Sequence, residues 1–366
     1  MTGLGVLIAF VGLFYRARIT GLVYGWWQPI EGSSANGFGP FVNRNHFAGW
    51  MVMATCVAIG GLCGGVEQAL HRSRGRRAWV AWLSSPEASR IVLTVGGIMV
   101  MATALVWSMS RSGMVSLACA LGCFGWLVKR RASLAAAGRT LLLTTLGAVL
   151  IVSLSWRGTG RVLRWFADTR DLLSRRAAWQ DGWRLAGDFP LTGTGLNTYG
   201  DAMLFYQQQV LENWMSHAHN DYLQLLAEGG LLVCAPAIAS AVLLALALRR
   251  SVGDARRDGD PRDYWIRAGA AVGLGAMCVQ ETVEFSLQIP ANALLFATLA
   301  AMALSRPQPS PSSKTFTQGE RGERGDERNL IKEFLPDLPG LPVKEMPRIT
   351  RTVQNGTVAG GPSPLV

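Results

Sequence analysis

Lysine is nearly missing from this chain, with 4 residues in 366, and charged residues of all kinds reach only 16% against 49% hydrophobic ones. That is too little polar surface to coat water-soluble domains of this length, so the composition excludes an ordinary soluble enzyme and implies a lipid solvent. No cysteine lies outside an apolar run: Cys56, Cys63, Cys119, Cys123, Cys234 and Cys278 form neither a spaced metal set nor a disulfide framework, and read as small packing residues. Histidine is as scarce as lysine, yet two of the four, His217 and His219, stand two residues apart in "SHAHNDYLQLLAEGG". The opening "MTGLGVLIAFVGLFY" lacks the basic n-region and cleavage site of a signal peptide. It reads as a helix, one of several whose predecessors are missing from this chain.

What is present is apolar sequence in blocks. "IVLTVGGIMVMATALVWSMS", between Arg90 and Arg111, holds 20 uncharged residues. At about 1.5 Å each they span a hydrocarbon core of about 30 Å. Similar runs begin at Phe47, Ser112, Thr140, Gly229 and Phe285, a weaker one covers Ala268 to Gln280, and a short one opens the chain, about eight helices in all. The expected fold is all-α, a polytopic transmembrane bundle over 1–305 with one long helical loop at 157–221. From Arg306 the chain turns polar and takes nine of the sixteen prolines. A tail of that composition, 306–366, is expected to be disordered.

Loops 67–90, 129–139 and 249–267 carry five, four and six basic residues. They share one side if every helix crosses once, and the positive-inside rule makes that side, and the tail with it, cytoplasmic. The loop 157–221 then lies outside, although it holds seven arginines between 157 and 184. A pI of 9.9 invites a nucleic-acid reading, but the charge is spread over loops on both faces and no aromatic-basic module accompanies it. Membrane lipids, not nucleic acid, are the expected partner of the cytoplasmic arginines.

Arginine grips phosphate oxygens through a rigid fork and keeps its charge, so an outer loop rich in it suits a diphosphate at a membrane surface. The alternative is a compositional preference for arginine over lysine. Around Arg175 and Arg176, "SRRAAWQDGWRLAGDFP" predicts a helix with Arg176, Trp179 and Trp183 on one face, ending by Pro190. Arg111, alone between two uncharged spans, either snorkels from a turn or faces a polar cavity. "GTGLNTYG" is a weak cofactor signal, and no cofactor is expected. His217 and His219 point apart on any helix, so a zinc site would need an extended segment and a further ligand such as Asp221. A neutral histidine beside fixed positive charges suits general-base work. The structural alternative is a cap on the helix that starts near Tyr222.

"SRSG" ending one turn, Arg176, Trp179, Pro190, Gly193, Gly195 and Tyr199 in a long loop, "HAHNDYLQLLAEGGLL" entering the next helix and "ANGFGPFVNRNHFAG" from Ala35 together resemble the O-antigen ligase and polymerase superfamily of Wzy/WaaL-type integral membrane glycosyltransferases. The resemblance covers about residues 35–305. It implies a GT-C-like bundle in the bacterial inner membrane with its active site facing the periplasm. The implied reaction is metal-independent, inverting transfer of a glycan from an undecaprenyl-diphosphate carrier to a hydroxyl of lipid A core, a growing glycan or another acceptor. Carried over by position, Arg111 and Arg176 would bind the diphosphate and His219 would orient or deprotonate the acceptor. His217, Asn220, Arg44, His46, Trp179 and Arg175 would contribute to substrate binding. A small-anion transporter and an inactive fragment or scaffold are the competing readings. Transport would place ionisable groups deep within several helices, whereas Arg111, Glu281, Glu284 and the histidines gather toward one face.

Overall fold

A computed structural model describes residues 1–18, 37–72, 82, 84–157, 159–208 and 215–305. The tail 306–366, and Ala35 and Asn36 of the "ANGFGPF" stretch, lie outside the described residues. Eleven α-helices are described: α1 Thr2–Arg18, α2 Arg44–Arg72, α3 Pro86–Trp107, α4 Arg111–Arg130, α5 Ala136–Arg157, α6 Thr159–Ala167, α7 Arg170–Asp188, α8 Tyr199–Tyr206, α9 Asp221–Asp258, α10 Pro261–Gln280 and α11 Pro290–Leu304. Among the described residues there is no strand beyond an isolated bridge between Phe38 and Phe41. The chain is thus an all-α polytopic bundle.

Each apolar run is helical. Five helices, α2, α3, α4, α5 and α9, are long and apolar enough to cross a membrane, while Thr2–Phe14 and Pro290–Leu304 are shorter. α10 carries Arg262, Asp263 and Arg267 in its first two turns, which explains the weak apolar signal there. Asp263 takes up that charge internally, with Arg267 Nη2 at 2.9 Å from its Oδ2.

α2 is the central post, buried along almost its whole length. It packs on α10 through small residues four apart, Cys56 and Gly60 against Gly269 and Gly273, and Gly64 against Arg262. A Cβ on Gly269 would stand 2.8 Å from Cys56 O and 3.0 Å from Gly60 Cα, and one on Gly60 would press into Trp265 O. Where lipid tails are as apolar as side chains, such close backbone approach supplies the packing that holds helices together. At the end of α2 remote from Arg44, buried Glu67 accepts from Arg131 Nε at 3.2 Å, Ser133 Oγ at 2.6 Å and Trp265 Nε1 at 2.6 Å, so its charge is matched.

α9 is broken where its apolar run begins. Gly230 takes φ 55° and ψ −162°, which only glycine adopts freely, and the helix kinks there. The backbone groups that the kink releases are taken up by loop 190–195. Thr194 N and Gly195 N donate to Ala227 O and Glu228 O at 3.1 and 2.8 Å, and Leu231 N and Leu232 N donate to Pro190 O and Leu191 O at 2.9 and 3.0 Å. This close dock explains one glycine of the loop and one of the kink. A Cβ on Gly193 would run into the Glu228 carbonyl, and one on Gly230 into Leu191. Gly230→Ala is therefore expected to cost about 1–3 kcal/mol through the strained φ alone, read as a lowered Tm in detergent, whereas Gly253→Ala, with open space around it, leaves Tm unchanged or raises it.

Candidate functional site

Two helix starts face each other at the Arg44 end of the bundle. α2 opens at Arg44, just after Asn43, whose Oδ1 accepts from Asn45 N at 2.8 Å. α4 opens at Arg111, capped by Ser110, whose Oγ accepts from Gly113 N at 3.2 Å. Gly113 is small because a Cβ there would strike Ala48 of α2. The turn before Arg111 holds Met109 at φ 55°, left-handed for a non-glycine residue, a strain that surrounding structure must hold in place. Met109 O accepts from Trp165 Nε1 of α6 at 3.0 Å. The guanidinium carbons of Arg44 and Arg111 lie 4.9 and 4.6 Å from the centroid of that indole. A cation at the positive end of a helix is unfavourable by itself, so the pair makes a strong anion-attracting corner.

α7 ends at Asp188, two residues before Pro190. Arg175 is buried and Arg176 is exposed. Trp179 Nε1 donates to Ala218 O at 2.9 Å, and Ala218 N donates to Gln224 Oε1 at 3.1 Å, so both backbone groups of the residue between the two histidines are pinned. Gln224 is held in turn by Glu228, which also accepts from Asn197 N and Tyr199 N. His219 is left at φ 50°. The cap of α9 is Asn220, whose Oδ1 accepts from Leu223 N at 3.0 Å, so neither histidine serves as that cap.

The hairpin joining α10 to α11 closes the site. Buried Glu284 accepts from Arg175 Nη1 at 2.9 Å and from Ser112 Oγ at 3.4 Å on Oε1, while its Oε2 faces His219 Nδ1 at 3.8 Å, an ion-pair distance rather than a hydrogen bond. Arg175 also donates to Val283 O. Burial pushes the Glu284 carboxyl upward, but His219 and Arg175 outweigh it and hold the group below the usual carboxylate range. Phe285 is ringed by three histidines: His217 stacks on it at 4.1 Å between centroids, and His46 and His219 approach edge-on at 4.7 and 5.1 Å. Burial, and then the neighbouring His219, keep His217 below its ordinary pKa, so it is neutral near pH 7. Glu281, also buried, meets the carboxyl of Asp221, and desolvation first and that second carboxyl next push it up to about 9. Its Oε2 accepts from Ser286 N at 2.7 Å.

These elements enclose a cavity of about 370 Å³. Arg44, Arg111, Arg175, Ser112, His219 and Glu284 line it, with Trp165 and Met109 as apolar wall. Of the residues expected from sequence, Arg44, Arg111, Arg175 and His219 thus come together. Arg176, His46, His217, Asn220 and Trp179 are not among the lining residues; the last two instead shape the loop that carries His219. Glu284 and Trp165 had no place in the sequence reading of the site. Glu284 had a signal, as one of two acids between apolar runs, whereas Trp165 was one of thirteen tryptophans. Residues 96–252 match the family model described as O-antigen ligase. That match supports the O-antigen ligase and polymerase superfamily. The general activity is accordingly that of a multi-pass membrane glycosyltransferase of the ligase or polymerase type. The matched stretch contains Arg111, Arg175 and His219 but neither Arg44 nor Glu284. No curated protein matches the chain.

The Glu281 carboxyl gives a pH test. A group whose pKa is higher folded than unfolded stabilises fully below the unfolded value, near 4.5, and loses that contribution as pH rises through the folded value, about 9. Wild-type stability is expected to fall across that window with a limiting slope of about 1.4 kcal/mol per pH unit from this group. Glu281→Gln, neutral at every pH, flattens the decline when Tm in detergent is followed from pH 5 to 9. Parallel wild-type and variant curves would refute the assignment.

Proposed function

We propose that the chain transfers a glycan from a polyprenyl-diphosphate carrier to an acceptor hydroxyl on the periplasmic side of the bacterial inner membrane, with inversion and without a metal. The observation that supports this most is the convergence of two arginine-bearing helix starts, at Arg44 and Arg111, on a cavity that also holds His219. In this reading Arg44 and Arg111 take the diphosphate. Negative charge grows on its bridging oxygen as the bond to the anomeric carbon breaks, and fixed cations aimed at that charge lower the barrier. The acceptor oxygen attacks from the opposite face and its proton passes to His219, which gives single-displacement inversion. Glu284 faces Nδ1 of His219, so it orients the ring with Nε2 toward the reacting hydroxyl and stabilises the imidazolium that forms. The diphosphate role that the resemblance gave to Arg176 falls to its neighbour Arg175, which reaches the cavity and is held there by Glu284. The basic loops and the tail lie in the cytoplasm. The acceptor is lipid A core, a growing glycan or another hydroxyl-bearing molecule.

In reconstituted membranes with a lipid-diphosphate oligosaccharide donor, Arg111→Ala and His219→Ala are each expected to lower transfer by about 100-fold or more, with chelator having no effect. Arg176→Ala stays within about threefold of wild type, as a surface position should. An Arg176→Ala loss equal to that of Arg111→Ala would return the diphosphate to Arg176, and activity indifferent to both His219 and Arg111 would sink the catalytic reading. Trp165→Leu removes the surface on which both arginines rest and is expected to raise the donor KM more than it lowers kcat, by about five- to tenfold for a lost cation–π pair. An unchanged donor KM would show that the arginines hold their places without it.

A further inference from the structure

The loop motif "FPLTGTGLNTYG", residues 189–200, carries no charge and has no part in the chemistry above. We propose that its tip, residues 189–196, is embedded in the bilayer at the site end of the bundle, so that the partner of its exposed apolar side chains is the acyl region of the lipid.

Depth is fixed by α9. Its uncharged run Leu231–Leu248 holds 18 residues, and Arg249 and Arg250 follow directly. Eighteen helical residues reach about 27 Å, barely the thickness of the hydrocarbon core, so with the two arginines at one boundary Leu231 and Leu232 must sit at the other. This part of α9 lies mostly against no other protein, and lipid is what covers it. Raising Leu231 into water would drag Arg249 and Arg250 into the core.

The tip is bonded to that same level. Pro190 O and Leu191 O accept from the amides of Leu231 and Leu232. Leu191 and Leu196, 64% and 65% exposed, continue the apolar face of Leu232, 67% exposed. Irregular backbone survives at such depth only when its polar groups are satisfied within the protein. Here the central amides meet that demand: Gly193 N donates to Phe189 O, Thr194 N to Ala227 O and Gly195 N to Glu228 O. The hydroxyls are also used inside the loop: Thr192 Oγ1 donates to Gly193 O, and Thr198 Oγ1 to Gly195 O. Proline at 190 removes one amide that would otherwise need a partner.

The test uses the full wild-type chain in lipid nanodiscs, labelled in parallel with a phospholipid bearing a diazirine in its acyl chain and with a water-soluble diazirine, and mapped by mass spectrometry. Residues 231–248 serve as the lipid reference and 259–263, the turn after α9 and the start of α10, as the aqueous one. The expected lipid-to-water labelling ratio of 189–196 lies within about threefold of the lipid reference and about tenfold above the aqueous one. A ratio equal to that of 259–263, with 231–248 labelled from lipid as it should be, would overturn the proposal.

Discussion

A carboxylate taken out of water costs several kcal/mol unless a cation and hydrogen-bond donors receive it, and Glu284 is such a carboxylate at the point where the site-end elements meet. Its side chain receives Arg175 from α7 and Ser112 from α4 and faces His219 from the loop before α9. Its main-chain oxygen, with that of Glu281, accepts from Asp221 N at the start of α9, each at 3.1 Å. Because Arg175 must lie inward to match Glu284, the rotation of α7 about its axis is set. The next residue stands about 100° further round, which carries Arg176 to the surface. Trp179, one turn on from Arg175, is brought beneath the His219 loop by the same rotation.

This explains which parts could be read in the sequence. The helices were legible because an uncharged run of membrane length has few other uses, and the end of α7 because Pro190 acts through local chemistry, whereas the caps Ser110 and Asn220 were not read as such. Arg111 and His219 were legible as well, each being an isolated polar feature beside an apolar run. The choice between Arg175 and Arg176 was not. Adjacent arginines look alike until helix phase is known, and phase here is decided by a partner 109 positions away in sequence. The dock of loop 190–195 into the Gly230 kink is hidden for the same reason. Its glycines advertise unusual backbone, but the contacting segments are separated by all of α8 and the first turns of α9.

The buried ions form two layers. Glu67 with Arg131 lies at one end of α2, and Glu284 with Arg175 beyond the other. Between them α2 and α10 meet through Cys56, Gly60, Gly269 and Gly273, a seam too close for side chains of any polarity to enter. An ion crossing the bundle there would meet apolar backbone contact instead of a ladder of ligands. The polar chemistry is confined to the ends, which agrees with transfer at a surface better than with passage through the core.

At the site end, Arg44 and Arg111 approach a single indole. Two guanidiniums so placed repel one another, and the negative face of the ring offsets that repulsion by on the order of 0.5–2 kcal/mol per contact. The positive ends of α2 and α4 add to the unfavourable field. A ligand with two linked anionic centres is attracted by both guanidiniums and by both helix ends. A single carboxylate can satisfy one guanidinium well and the other poorly, whereas the spread oxygens of a diphosphate meet both forks. In the proposed reading this corner takes the diphosphate end of the donor, and the acceptor is left to the side of the cavity where His219 and Glu284 stand.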